Sequence, residues 1–291
     1  QGRVWMKELN YLLLLDLETN TFNYDIPGEL ASMGVEQRVK NLFVDESKNF
    51  WFVWEDNTLS FYDVQAATGR VINRGGDDFT RKYGVPLELA QYKNTCWIVY
   101  SSGLIRCYDY TSSEFLFQDA RFVGLIGEQT DRLYLHPDSV GNLWLMYNDG
   151  VFFYNRTLRE WREVADISGI SNFFTCMDLD CSGDVWAGTS RSGLRHIDHK
   201  TFRVEELPVL PLVDGGEINN DIYTLLADGQ GGLWVGTLFQ GLCYYHPTMQ
   251  KFGLAQTGRG GSYLTNETVR CFLEEPDGTV LVGAREGLFR F

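Results

Sequence analysis

Residues 231–245 read GGLWVGTLFQGLCYY, and residues 183–198 read GDVWAGTSRSGLRHID, so one pattern occurs twice. In each stretch a glycine turn precedes a Trp, a Gly-Thr pair follows it, and a Gly-Leu pair opens the next apolar run. Short apolar or alternating runs separated by turn residues are typical of β-strands joined by tight turns. The pattern therefore predicts a β-hairpin that the chain uses more than once.

The Trp of this pattern recurs along the whole chain. Six tryptophans and a final leucine follow one another at intervals of 42 to 48 residues: Trp5, Trp51, Trp97, Trp144, Trp186, Trp234 and Leu281. Each copy of about 46 residues contains four short strand patterns, which we label A, B (with the marker), C and D; this matches a propeller blade. A β-helix has shorter rungs, and a sandwich has no such period. The predicted fold is all-β, a β-propeller of seven repeats in a single domain, residues 1–291.

The two ends of the chain carry incomplete copies. The first copy begins with strand B and lacks strand A, and the last copy stops at Phe291 before strand D. The sequence also begins Gln-Gly without an initiator Met. We therefore expect a fragment of a longer protein, and the sequence leaves open whether the missing strands belong to it.

Composition restricts the class of partner. The 291 residues carry a formal net charge of −14, which disfavours nucleic acid and anionic membrane surfaces, because both bind basic faces. No apolar run approaches the ~20 residues of a membrane-spanning helix. We expect no nucleic-acid partner, no membrane contact by this segment and no cofactor.

The six cysteines show no metal-type spacing. Cys96 and Cys107 flank a predicted hairpin centred on Ser101 and Ser102, so a cross-strand disulfide is one interpretation. Burial as small apolar side chains is the favoured alternative. The redox compartment is left open by these residues alone.

The pattern of residues 183–198 and 231–245 resembles the two-component regulator propeller repeat, D-x-x-G-x-L-W-x-G-T-x-x-G-L. TVLVGAREGLFRF at residues 279–291 is a third good copy, whereas the earlier copies keep the Trp and lose the Gly-Thr. The resemblance implies the periplasmic sensor region of a hybrid two-component system, the extracytoplasmic part of an inner-membrane sensor of glycan-degrading gut bacteria. It further implies an oligosaccharide ligand, a neighbouring propeller and β-sandwich domain, and a possible homodimer. Any kinase activity would lie outside this chain.

The repeated residues have a structural interpretation. A Trp at the same strand-B position of each blade is expected to pack between neighbouring blades rather than to stack on a sugar. The Asp of each A–B turn is expected to accept hydrogen bonds from its own backbone.

One turn imitates the start of a calcium loop. Asp178, Asp180, Ser182 and Gly183 follow the order D-x-D-x-S-G, but Thr189 stands where the bidentate carboxylate is required. We therefore predict a repeat turn and no metal site.

Positions that vary between copies carry the site hypothesis. Propellers bind ligands on the loops that join D to the next A and B to C, a fold-level analogy. The predicted ligand-binding residues are Asn172, Asn220 and Asn266 of the D–A loops, with Arg191, Phe239 and Arg285 of the B–C hairpins. Asparagine and arginine suit sugar hydroxyls or a uronate, and phenylalanine suits a sugar ring. The asparagines would alternatively cap the start of strand A.

Enzymatic function is disfavoured. The four histidines pair with no Cys, Ser or carboxylate at matching repeat positions, and His196 and His246 fall near the C–D side. No G-x-S-x-G elbow, H-E-x-x-H helix or P-loop occurs. A propeller glycosidase or lyase with a carboxylate pair, and a protein-interaction scaffold, remain the alternatives to a sensor.

Overall fold

The structure is a computed structural model of the chain. It describes residues 3–8, 11–32, 39–126, 132–147, 150–166, 173–207, 210–211, 217–218, 221–246, 252–254, 268–285 and 287–291. These residues divide into two compact units, Gln1–Leu125 and Ile126–Phe291, which are described in turn.

Within its described residues, the first unit contains three antiparallel sheets, numbered here as blades 1 to 3. Blade 1 has the order β1-β2-β3, blade 2 β4-β5-β6-β7, and blade 3 β8-β9-β10-β11. Two short helices separate the sheets, and the elements are β1 Arg3–Glu8, β2 Tyr11–Asp16, β3 Thr21–Asn23, α1 Ile26–Ser32, β4 Val39–Val44, β5 Phe50–Trp54, β6 Leu59–Asp63, β7 Thr68–Asn73, α2 Asp78–Tyr83, β8 Pro86–Tyr92, β9 Thr95–Tyr100, β10 Ile105–Asp109 and β11 Glu114–Asp119.

The second unit contains blades 4 to 7. Their orders are β12-β13-β14-β15, β16-β17-β18-β19, β22-β23-β24-β25 and β26-β27-β28, and β20 and β21 form a small separate pair. The strands are β12 Leu133–Pro137, β13 Leu143–Tyr147, β14 Gly150–Asn155, β15 Glu160–Asp166, β16 Phe174–Leu179, β17 Val185–Thr189, β18 Leu194–Ile197, β19 Val204–Leu207, β20 Leu210–Pro211, β21 Glu217–Ile218, β22 Ile222–Ala227, β23 Leu233–Thr237, β24 Leu242–Tyr245, β25 Phe252–Leu254, β26 Val269–Glu274, β27 Val280–Ala284 and β28 Gly287–Arg290.

These sheets confirm the predicted fold class, an all-β chain with the seven blades of a β-propeller. Each marker residue lies on the predicted strand B, and blades 1 and 7 have three strands because the first copy lacks strand A and the last lacks strand D. The two short helices lie in D–A connections and were not predicted, because each is only six or seven residues long.

The marker tryptophans pack between consecutive blades, as predicted. Trp186 of blade 5 contacts Tyr245 of blade 6 with ring centroids 6.1 Å apart, and Trp234 of blade 6 contacts Phe291 of blade 7 at 5.7 Å. In the first unit, Trp51 of blade 2 meets Tyr108 of blade 3 at 5.6 Å. Such aromatic pairs bury large apolar areas, so the repeated Trp is a packing residue of the blade interface.

The Gly of the Trp-x-Gly-Thr pattern explains how closely the blades approach. A Cβ on Gly188 would lie 2.6 Å from Cys176 Sγ and 2.6 Å from Ile222 Cγ2, the latter on strand A of blade 6. Gly236 is in the same situation, since its Cβ would lie 2.6 Å from Val269 Cγ1 on strand A of blade 7. Any larger residue would force neighbouring blades apart.

The disulfide interpretation of Cys96 and Cys107 is wrong. The register of β9 and β10 pairs Cys107 with Trp97 and Tyr108 with Cys96. Neighbouring residues of a strand point to opposite faces of the sheet, so the two thiols lie on different faces. Both cysteines are buried and neither forms a disulfide, which is the favoured alternative.

Candidate functional site

The B–C turns of blades 5 and 6 are built in the same way around a buried threonine. Thr237 Oγ1 donates to the Gly241 carbonyl at 2.9 Å and accepts from the Gln240 N–H at 2.9 Å. Thr189 Oγ1 makes the same bond to the Gly193 carbonyl at 2.9 Å. Both threonine side chains are at most 1% exposed. The Gly-Thr of the repeat therefore holds each turn in one shape and projects its middle residues into solvent.

The described candidate residues occupy these turns. Arg191 and Phe239 stand two places after the buried threonines, at equivalent positions, and Phe239 is 62% exposed. Arg285 is an exposed residue of the corresponding turn in blade 7. Their role in ligand binding stays a prediction. Three further candidates, Asn172, Asn220 and Asn266, lie outside the residues that the structure describes.

Backbone hydrogen bonds tie these turns to the starts of the A strands. The Ser190 N–H donates to the Phe173 carbonyl at 3.0 Å, and the Leu238 N–H donates to the Asp221 carbonyl at 3.1 Å. Thr268 Oγ1 donates to the Leu238 carbonyl at 2.6 Å and so links blade 7 to the turn of blade 6. We call this side of the second unit the B–C edge.

An arginine held between two aromatic rings lies on the B–C edge. Arg132, which directly precedes β12, has its Cζ 5.2 Å from the Phe173 ring centroid and 4.8 Å from the Tyr223 ring centroid. Both distances are within the range of cation–π attraction. Blades 4, 5 and 6 thus contribute one residue each to what we call the arginine–aromatic cluster, Arg132, Phe173 and Tyr223.

One donor of this cluster has no acceptor among the described residues. Arg132 Nη1 is buried and has no hydrogen-bond acceptor within the described part of the chain. A buried donor without an acceptor costs free energy, so its presence calls for an explanation. The Arg132 charge also acts on a buried thiol. Burial raises the pKa of Cys176 to about 12, and the Thr175 hydrogen bond and the Arg132 charge oppose that rise.

Sequence analysis did not single out this cluster. Its three residues precede or begin strand A at different distances from the marker Trp, so no repeat position marks them. A lone arginine beside an apolar strand start was the available signal, and only the packing of three consecutive blades gives it meaning.

The sequence offered no histidine–carboxylate pair at matching repeat positions, but on the opposite side of blade 5, the A–B edge, the structure brings two histidines to one aspartate. Asp184 Oδ1 accepts from the His199 N–H at 2.9 Å and lies 2.6 Å from His199 Nδ1. Asp184 Oδ2 lies 3.4 Å from His196 Nε2. Burial raises the pKa of Asp184, but the hydrogen bonds from His199 and the charges of His196 and His199 outweigh it and hold that pKa below its usual value.

The calcium-loop interpretation of residues 178–183 stays disfavoured. Asp178 Oδ2 accepts the Ala227 N–H of blade 6 at 2.8 Å, so this carboxylate joins two blades. Asp180 Oδ1 accepts the Ser182 and Asp184 N–H groups of its own turn, which is the predicted turn chemistry.

Among the described residues, no helix is long and apolar enough to cross a membrane.

Solved structures with a similar fold come from several sources. The extracellular domain of the putative one component system BT4673 from B. thetaiotaomicron is 14% identical, with a TM-score of 0.54 over 100% of this chain and 44% of that chain. PorZ, a surface component of the type-IX secretion system of Porphyromonas gingivalis, is 16% identical, with a TM-score of 0.61 over 96% and 43%. The computationally designed Ika8 protein gives a TM-score of 0.64 at 14% identity over 100% and 80%.

These likenesses concern the fold. The chain spans less than half the length of the first two of these proteins. No curated protein sequence matches the chain.

A family model gives a more specific match in the second unit. The model described as the two component regulator propeller matches residues 216–239, which contain β22 and β23 of blade 6. This segment includes the marker Trp234 and the Gly-Thr pair that closes the B–C turn. The chain therefore contains a two-component regulator propeller repeat, and the resemblance predicted from its sequence is confirmed.

Proposed function

We propose that this chain is a non-catalytic ligand-sensing propeller of an extracytoplasmic sensor, and that its B–C edge binds an oligosaccharide. The arginine–aromatic cluster carries the proposal, because Arg132 lies beside two aromatic rings and its Nη1–H has no acceptor among the residues that the structure describes. Sugar sites combine aromatic faces with a few fixed polar groups.

The chemistry of this edge suits hydroxyl or carboxylate oxygens. Arg132 presents its donors from a position held by Phe173 and Tyr223, so little rotamer freedom is lost on binding. Arg191 and Arg285 add positive charge to the same edge of a chain whose net charge is −14. Phe239, largely exposed at its turn tip, supplies an apolar face for a ring.

The sensing role is supported by the repeat and by the fold. The matched family model is named for two-component regulators, and the B. thetaiotaomicron relative is an extracellular domain of a putative one component system. This chain covers 44% of that B. thetaiotaomicron chain, which supports placing it beside further domains of a sensor. Binding would then be relayed by rigid-body movement or by rearrangement of a homodimer.

The test is a calorimetric screen of the purified chain against neutral and uronic oligosaccharides of plant and host origin, with chromatography of the sugars afterwards. We expect saturable binding of one class and no cleavage products. Cleavage would replace the proposal with a propeller glycosidase or lyase. No binding across the panel would favour a protein-interaction scaffold.

A variant series locates the site. Arg132→Met keeps the apolar stem between the two rings and removes the charged donors, which contribute about 1.5–3 kcal/mol when they bond a ligand. The expected loss of affinity is roughly 10- to 150-fold. Arg156→Met, in the C–D turn on the opposite side of blade 4, serves as the control and should leave affinity unchanged.

A further inference from the structure

The A–B turns of blades 2 and 4 share a framework that blade 5 alters. In blade 2, Asn49 Nδ2 donates to Asp45 Oδ2 at 3.3 Å, and Asn49 Oδ1 accepts the Val64 N–H of the C–D turn at 3.1 Å. In blade 4, Asn142 makes the same two bonds, to Asp138 Oδ2 at 2.8 Å and from the Arg156 N–H at 3.0 Å. The asparagine therefore satisfies the turn carboxylate and the next turn together.

Blade 5 has an aspartate at this position. Asp184 Oδ1 still accepts the N–H of the C–D turn, from His199 at 2.9 Å. An ionised carboxylate has no hydrogen to donate, so Asp184 offers nothing to Asp180. Two carboxylates are thus brought to one turn where blades 2 and 4 have a neutral donor and an acceptor. Two ionised carboxylates repel each other, and a positive charge beside them relieves that repulsion.

His196 completes the group from the neighbouring strand. It pairs with Trp186 across β17 and β18, and its ring lies 4.4 Å from the Trp186 ring at an angle of 34°. That contact points Nε2 at Asp184 Oδ2, 3.4 Å away. One ligand atom each from Asp180, Asp184 and His196 lies within 4.8 Å of the others.

The 3.4 Å separation is long for a hydrogen bond and suits two ligands of one metal ion. Ligands bound to a tetrahedral Zn²⁺ at about 2.0–2.1 Å lie about 3.3–3.4 Å from each other. The supporting bonds are also present: the Trp186 Nε1–H donates to Asp180 Oδ2 at 3.1 Å, and His199 Nδ1 holds Asp184 Oδ1 at 2.6 Å. Such outer bonds fix the orientation of metal-binding carboxylates.

We propose that Asp180, Asp184 and His196 bind a divalent transition-metal ion of the zinc type on the A–B edge of blade 5, with His199 positioning Asp184. The imidazole donor selects this class over Ca²⁺ and Mg²⁺, which take oxygen ligands. The ion joins the A–B turn to strand C, and through His199 to the C–D turn, so it stabilises blade 5. This inference is independent of the proposed oligosaccharide site.

The experiment is a calorimetric titration of Zn²⁺ into the untagged, chelator-treated chain, with Ca²⁺ and Mg²⁺ as comparisons. We expect one equivalent of Zn²⁺ to bind at this site, with at least 10-fold weaker binding of the other two ions. Thermal unfolding should shift upward with Zn²⁺. Failure to bind Zn²⁺, or equal binding of all three ions, overturns the proposal.

Variants assign the ligands. Asp184→Asn recreates the asparagine of blades 2 and 4, so we expect a folded protein whose Zn²⁺ affinity falls at least 10-fold and whose unfolding temperature no longer responds to Zn²⁺. His196→Gln changes a side chain that is 25% exposed, so this variant should also fold. It should lose Zn²⁺ affinity in the same way and so tests the second ligand.

Two controls exclude other ligands. Cys181→Ser removes the exposed thiol of the same turn, and His246→Asn removes a histidine of blade 6. Both should bind Zn²⁺ as the wild type does. The proposal is overturned if Cys181→Ser abolishes the binding, or if Asp184→Asn and His196→Gln retain full affinity.

Discussion

Replacing Gly236 by alanine tests whether the Gly-Thr pattern exists to let neighbouring blades approach. The added Cβ would lie 2.6 Å from Thr224 Cγ2, 2.6 Å from Val269 Cγ1 and 2.8 Å from Val269 Cβ. Carbon atoms in contact lie about 3.5–4.0 Å apart, so the new methyl group is about 1 Å too close to two residues. Both neighbours are β-branched and have few alternative rotamers, so the strands themselves must separate.

The expected free-energy change follows from that crowding. Overpacking of a well-packed core costs about 1–3 kcal/mol, and the lower chain entropy of unfolded alanine returns about 0.4–1 kcal/mol. We predict that Gly236→Ala lowers the free energy of unfolding by up to about 2.6 kcal/mol, and by about 1.3 kcal/mol at the middle of both ranges. Urea denaturation followed by circular dichroism measures it as a lower midpoint with an unchanged slope.

Gly69→Ala is the matched control. Gly69 lies in strand D of blade 2, and its Cβ would be 3.5 Å from Tyr62 Cδ2 and 3.8 Å from the Phe61 carbonyl oxygen, which are ordinary contacts. This variant should be as stable as the wild type or slightly more stable. If Gly236→Ala is no less stable than Gly69→Ala, the packing explanation of the repeat glycine is refuted.

Three further outcomes are expected. Thr237→Val removes two hydrogen bonds from a residue that is 1% exposed. It should lower the free energy of unfolding, measured in urea, by about 1–3 kcal/mol. The control Thr68→Val, at an exposed residue, should change it by less than about 0.5 kcal/mol. In thiol labelling at pH 8, exposed Cys181 should react in the folded chain, whereas Cys243, whose pKa burial raises to about 12, should react only after unfolding; equal rates would contradict this. The hydrogen bond from the Ser112 N–H lowers the pKa of Asp109. The stability that this turn contributes is therefore present at neutral pH and is lost as the pH falls below about 4 through the lowered pKa. Asp109→Asn should weaken this acid dependence in thermal unfolding, and an unchanged dependence would contradict the prediction.

The fold was predictable because one packing problem is solved seven times. A Trp that packs against the next blade recurs at the same strand position in the first six copies and so leaves a periodic trace. In blades 5 and 6 a Gly that lets the blades approach also recurs, two places after the Trp. The threonine of the Gly-Thr pair is explained in the same way by its turn-closing hydroxyl.

The candidate sites were less predictable because they depend on departures from the repeat. Arg132 matters through rings on two other blades, and no spacing in the sequence connects them. The group around Asp184 is different, since His196 lies directly opposite Trp186 in the hairpin and the strand register could have revealed it. Comparing that position with Asn49 and Asn142 would have shown the exchange of asparagine for aspartate.

Hydrogen exchange measured by mass spectrometry, with and without the oligosaccharide panel, tests the central claim most directly. If the B–C edge binds the ligand, exchange should slow in peptides that cover residues 132–135, 189–193 and 237–241. Peptides that cover the A–B turns at residues 180–184 and 228–232 should exchange as before. Protection confined to those A–B turns, or no protection by any oligosaccharide, would contradict the account.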